Sequence, residues 1–254
     1  MRFQTPPLAS PLTFVKEEGK YLCIQFLLLN LQGEKFEAMK KTLLMVLVAV
    51  GLTAAAQTNL KTSGRMVQEL VPEGWEDIHE ATGDLNKDGI ADLVVIATPN
   101  LAEHMNPESD YATNYNEPVV GIYWGQRDGS YKLYQQYDSI VSGHSEYIYG
   151  ENSVKVTDKG VLQFESTTFA TAGTSESGDD TYLFRYQNGD FYLIGQQNTA
   201  HSRYTGDYEE VSINYLTHKK KITTGSVLKD GPADKVRWEK IPQKPLMRLG
   251  SFTM

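Results

Sequence analysis

The sequence predicts an all-β fold: antiparallel, rich in hairpins, and a single domain. Three observations carry that expectation. After residue 57, apolar residues recur at the alternating spacing of strands and seldom at helical spacing. Short runs rich in Val, Ile, Tyr and Phe are separated by Gly, Asn and Asp turns. The turns themselves are of hairpin type, Asn188-Gly189 above all.

Taken in order, Asp92–Thr98 (DLVVIAT) is a short continuous apolar run and predicts a buried strand. Val119–Gln136 predicts a hairpin turning at Asp128-Gly129, and Ser153–Ser166 a second turning at Asp158-Lys159-Gly160. Tyr182–Gln197 predicts a third around Asn188-Gly189, and Val211–Thr223 a fourth turning near His218. Lys235–Ile241 predicts a closing strand, ended by Pro242 and Pro245, because proline cannot donate to a ladder. The piece 128–133 (DGSYKL) is similar to 188–193 (NGDFYL). That leaves an internal repeat open, although any hairpin needs a turn and a facing aromatic.

The N-terminal region does not join this pattern. Lys40 and Lys41 precede an apolar run, Thr42–Leu52, and Ala54-Ala55-Ala56 supplies small residues at a cleavage position. Residues 39–56 are therefore expected to be a secretory signal peptide, cut after Ala56. The run is too short for a membrane span, which needs roughly 20 apolar residues. Residues 1–38, with four glutamates and Pro6-Pro7, are expected to be a leader made by a start placed too far upstream, with Met39 the true first residue. The expected product is residues 57–254, secreted or periplasmic, with no membrane span and no lipid-bearing cysteine. It would lose the single cysteine, Cys23, and carry 18 basic against 28 acidic side chains, a net charge of −10. A chain without cysteine has no disulfides to support a small core. The acidic balance, with no basic block, argues against a nucleic-acid partner.

One motif carries specific chemistry. Residues 84–92 read Asp84-Leu85-Asn86-Lys87-Asp88-Gly89-Ile90-Ala91-Asp92. A hard cation such as Ca²⁺ takes six to eight oxygen ligands, and alternate residues of a tight loop aim their oxygens at one centre. Asp84, Asn86 and Asp88 are the expected side-chain ligands, Ile90 the backbone carbonyl ligand, and Asp92 a ligand directly or through water. The sequence departs from an EF-hand: Val95 stands where a bidentate Glu belongs, and a strand-like run follows in place of a helix.

With its flanks, Gly83–Val95 resembles the calcium loop and strand of FG-GAP/VCBS repeats, found in integrin α-subunit propellers and many exported bacterial proteins. The close match covers about fifteen residues. Val71–Trp75, Phe184–Gln187 and Tyr192–Gly195 more loosely resemble exported bacterial proteins with one such loop. The resemblance implies Ca²⁺ on Asp84, Asn86, Asp88 and Asp92, and a small or partial propeller-like arrangement. Only one loop is found, and a seven-bladed propeller does not fit in residues 57–254.

The function expected from these readings is an exported calcium-binding β-rich module that binds a protein or glycan ligand. Fourteen tyrosines in residues 57–254 suit recognition faces, and equally suit strand surfaces. An inhibitor or envelope-assembly subunit belongs to the same class. The alternative is an extracellular or periplasmic hydrolase built on His144, Glu146 and His201, the last near Arg203 and Asp207. H-E-x-x-H, G-x-S-x-G and P-loop motifs are absent, and no catalytic residue is assigned. The adjacent pairs Asp179-Asp180 and Glu209-Glu210 must point to opposite sides of a strand, and are expected to be solvated charge.

Overall fold

The computed structural model describes residues 59–101, 104–106, 113–143, 148–170, 174–228 and 233–254. The leader, the signal-peptide segment with Cys23 upstream of it, His144, Glu146 and most of the loop 102–112 lie outside the described residues. All described residues belong to one compact unit, Ala56–Met254.

The unit is all-β, with every strand pairing antiparallel. The first sheet has five strands: β1 (Ser63–Gly64), β2 (Glu76–Gly83), β3 (Asp92–Thr98), β6 (Val119–Gly125) and β7 (Tyr131–Tyr137), in the order β1-β7-β6-β3-β2. A short helix, α1 (Val67–Leu70), lies between β1 and β2 in the chain. The two-residue strands β4 (Met105–Asn106) and β5 (Thr113–Asn114) pair with each other. The second large sheet is a seven-stranded meander in chain order. It runs through β8 (Ile148–Val156), β9 (Val161–Ala170), β10 (Glu176–Gln187), β11 (Asp190–Ser202), β12 (Asp207–Asn214), β13 (Lys219–Ser226) and β14 (Lys235–Lys240).

The predicted hairpins are therefore present as β6-β7, β8-β9, β10-β11 and β12-β13, and the buried strand is β3 with the expected ends. They assemble as sheets of five and seven strands, not as four-stranded blades. The sequence reading missed β2, whose residues EDIHEATG are polar and largely exposed. It also ended the third hairpin five residues short, since β11 runs on to Ser202.

Burial explains the two kinds of strand. All seven residues of β3 are buried. On one side Val94 and Ile96, with Val120 and Ile122 of β6, pack against Leu162, Phe164, Phe184, Phe191 and Leu193 of the second sheet. On the other side Leu93, Val95 and Ala97 pack with Leu60, Val67, Leu70, Val71 and Trp75 of the segment around α1. A strand covered on both faces has no polar positions to alternate, hence DLVVIAT. The C-terminal segment completes the inter-sheet core. Leu249 and Phe252 are buried there, and the Phe252 ring lies 4.7 Å from that of Tyr182 and 5.1 Å from that of Phe184. Among the described residues no helix is long and apolar enough to cross a membrane.

Candidate functional site

The loop of residues 84–91 joins β2 to β3 and touches both large sheets. Leu85 is 1 % exposed and enters the inter-sheet core, so the loop's second residue is its anchor. Its neighbours Asp84 and Asn86 are half-buried, and Lys87, Asp88 and Gly89 are exposed. Gly89 has φ +84°, a left-handed conformation that glycine adopts without a Cβ penalty. The turn between β8 and β9 presses on the loop from the second sheet. A Cβ on Gly160 would run into the Asp84 carbonyl and the Lys87 side chain, and one on Gly83 would meet Val156.

The side-chain oxygens of the motif fold back over the loop. The Asp84 carboxylate accepts from the N–H groups of Asp88 (3.1 Å) and Gly89 (3.0 Å). Asn86 Oδ1 also accepts from Asp88 N–H at 3.0 Å, and its Nδ2 donates to Asp88 Oδ2 at 3.2 Å. Asp88 Oδ1 accepts from Ile90 N–H at 2.8 Å. These are the local side chain-to-backbone bonds by which Asp and Asn tighten a turn. They bring the oxygens of Asp84, Asn86 and Asp88 onto one short stretch of chain.

Asp92 behaves differently. It is fully buried, and both oxygens accept from backbone N–H groups: Leu85 (2.9 Å) and Asn86 (3.3 Å) on Oδ2, Gly125 of β6 (3.0 Å) on Oδ1. Burial pushes its carboxyl above the ordinary aspartate range, against the downward pull of those three N–H groups. Asp92 thus ties the loop to the neighbouring strand. An oxygen that accepts one hydrogen bond keeps a second lone pair, so this role is compatible with ligation.

The donor set fits Ca²⁺ in kind, being hard oxygens from carboxylates and an amide. Among the described residues no three or more His, Cys, Asp or Glu side chains are clustered to hold a metal, so the loop's donors depend on Asn86 and backbone oxygen as well as carboxylates. Beside the loop lies a hollow of about 820 Å³, lined by Asn86, Asp88, Ile90, Trp124, Arg127 and Asp128 among others. The sequence reading takes Asp128 only as a turn residue and does not single out Trp124, because the pairing of β6 with β3, and not proximity in sequence, brings β6 and the turn after it beside the loop.

No protein-family model, curated protein or solved structure matches this chain.

The remaining candidate, His201, sits on the outward face of β11. Its Nε2 lies 3.3 Å from Asp179 Oδ2, and Asp179 also accepts from the Thr167 hydroxyl at 3.0 Å. The pair is solvent-exposed on an open sheet surface. Arg203 is occupied elsewhere, donating to the carbonyls of Ala170 (2.6 Å) and Ser175 (3.1 Å) with its guanidinium 3.9 Å from the Phe169 ring centre. The adjacent carboxylates do point apart. Asp179 faces outward, while Asp180 faces the other side of the sheet and accepts from Asn198 at 2.7 Å.

Proposed function

We propose that this chain is an exported, calcium-stabilised β-rich binding module whose ligand is a protein or glycan. The observation that carries the reading is the position of the Asp84–Asp92 loop. It is wedged between two sheets, with Leu85 in their shared core, Asp92 tied to Gly125 and the Gly160 turn packed on its outer side. An ion there would stabilise the junction of the sheets. Asp84, Asn86, Asp88 and the Ile90 carbonyl would hold it, with Asp92 beneath. Its chemistry would be charge neutralisation of the loop's aspartates, with no reaction required. The resemblance of Gly83–Val95 to FG-GAP/VCBS repeats supports the same ion. The Lys40–Ala56 pattern supports export, and calcium is available outside the cell at the millimolar level such loops need.

The test is thermal melting in calcium against chelator. An ion that binds only the folded state adds about 1.4 kcal/mol at a tenfold excess over its dissociation constant. We expect the melting temperature to rise by several degrees in millimolar calcium, and Asp88→Ala to abolish that rise while leaving the chelated protein folded. An unchanged melting temperature would remove calcium from the reading.

A further inference from the structure

One face of the seven-stranded sheet changes character along its strands. Side chains two apart on a strand share a face, so Phe184, Tyr182, Asp180, Gly178 and Glu176 of β10 form one file. Phe184 and Tyr182 pack in or against the inter-sheet core. Beyond them the file turns polar and small, and its cross-strand partners do the same: Asp180 faces Asn198 and Ser166, and Gly178 faces Ala200 and Thr168. Here the sheet carries two adjoining hollows of about 410 Å³ each, sharing Glu176, Ala200 and Glu209.

The polar groups at the inner end of this trough are already ordered. Asn198 Nδ2 donates to Asp180 Oδ1 at 2.7 Å and to the Tyr182 hydroxyl at 3.3 Å. Gln196 Nε2 donates to Asn198 Oδ1 at 2.8 Å, and the Tyr215 hydroxyl donates to Gln196 Oε1 at 2.7 Å. Side chains locked in this way present donors and acceptors without a further entropy cost on binding.

Charge separates this face from the opposite one. On the opposite face Glu165 is paired with Lys155 at 2.6 Å, Asp179 with His201 at 3.3 Å, and Glu210 with Lys221 at 3.8 Å, while Glu151 has no ion-pair partner among the described residues. In the trough, Glu176, Asp207 and Glu209 have no ion-pair partner among the described residues; Lys235 lines it, as does His201, whose ring is turned to Asp179. Further along the same face, on β13 and β14, Glu239 has Arg237 at 3.0 Å and Lys220 at 3.9 Å, so the unpaired carboxylates gather at the trough.

We propose that this trough binds an extended Lys/Arg-rich polypeptide segment. Glu176, Asp207 and Glu209 would face its cations, and the Asp180–Asn198–Gln196 ladder would meet its backbone amides. A neutral glycan offers no charge to these carboxylates, and an anionic polymer is repelled by them. The inference rests on the binding-module reading and is independent of the calcium loop.

The probe is a fluorescently labelled decalysine peptide, titrated into the purified full chain at low salt and followed by anisotropy, in calcium and in chelator. Glu176→Gln/Glu209→Gln should weaken binding about tenfold, the sum of two charge pairs near 0.7 kcal/mol each. The charge-matched pair on the opposite face, Glu165→Gln/Glu210→Gln, should change it less than about twofold. All four carboxylates are partly solvent-exposed, and circular dichroism checks that both variants keep the fold. Equal weakening by both pairs means diffuse attraction and overturns the proposal. So does saturable binding of neutral cellohexaose by a chain that ignores decalysine. Peptide binding that persists in chelator, in a chain whose melting ignores calcium, would sink the ion reading and leave the trough standing.

Discussion

The two large sheets meet the same demand, to bury an apolar face, in different ways. The central strands of the five-stranded sheet are covered on both sides: seven of seven residues are buried in β3 and six of seven in β6. In the twelve-residue β10 of the seven-stranded sheet only Phe184 is fully buried. The middle of one sheet, β3 and β6, is core along its whole length. The other is core at one end of its strands and open at the far end, where length beyond the first sheet's reach produces the trough. Its strands explain the difference, since β10 and β11 have 12 and 13 residues against 7 in β3 and β6. The excess length has nothing to pack against, and it is there that polar side chains collect.

The sharpest way to break this contrast is to cut the shared core and the overhang of the same strand. Phe184 is fully buried, with its ring centre 6.0 Å from that of Phe164 and 5.1 Å from that of Phe252. Phe184→Ala should lower unfolding free energy by about 3–5 kcal/mol, the usual cost of an aromatic cavity. Four residues away, Asp180→Asn should cost less than about 1 kcal/mol, because it alters one hydrogen bond at a partly exposed site. Urea denaturation of both variants measures the gap. Comparable losses would mean that the overhang is as much a part of the core as the base.

A smaller effect tests how the loop is joined to the first sheet. Asp92→Ala leaves the N–H groups of Leu85, Asn86 and Gly125 without their acceptor. The expected cost is about 2–3 kcal/mol in chelator, since water reaches some of these groups. Hydrogen exchange should show the loss at Gly125 as well as at Leu85, because one carboxylate holds both segments. Faster exchange confined to residues 84–91 would show the loop to be independent of β6.

Much of this was legible in the residues, for identifiable reasons. DLVVIAT fixes a doubly covered strand because continuous apolar sequence has no other stable place in an antiparallel sheet. Asn188-Gly189 fixes the β10-β11 turn, with Gln187 opposite Asp190. The motif 84–92 fixes a tight loop, because Asp and Asn at alternate positions cap their own backbone. The trough was not legible. Counting outward from the turn pairs Asp180 with Gln197, yet the structure pairs it with Asn198, because a bulge at Leu183/Phe184 shifts the register by one. That single residue turns the ladder onto the hollow face, and no turn or propensity signal announces it. Strand β2 was illegible for another reason: its polar residues satisfy the ladder of β3 while their side chains stay in water.

The smallest effect separates the two faces of the seven-stranded sheet. Glu165, on the outward face of β9, accepts from Lys155 Nζ at 2.6 Å, from Gln163 Nε2 at 2.6 Å and from the Ser153 hydroxyl at 3.1 Å. The Lys155 hydrogen bond, chiefly, holds its carboxyl below the ordinary glutamate value of 4.5; partial burial works against it, and Gln163 and Ser153 assist it. A carboxyl that loses its proton more readily when folded stabilises the fold in its ionised form. That stabilisation is complete above pH 4.5 and fades as pH falls through the lowered folded value. Lys155 is 60 % exposed, so solvent screening keeps the effect under about 1 kcal/mol. Glu165→Gln should therefore be slightly less stable than the parent chain at pH 7, and the gap should narrow as pH falls from 4.5 towards 3. Glu209→Gln, which removes a carboxylate with no ion pair among the described residues, should be closer to the parent at pH 7 than Glu165→Gln is. Urea midpoints of the two variants and the parent at both pH values measure the difference. If Glu209→Gln cost as much as Glu165→Gln at pH 7, the carboxylates of the trough would be held as firmly as the Lys155–Glu165 pair, and the electrostatic contrast between trough and opposite face would fall.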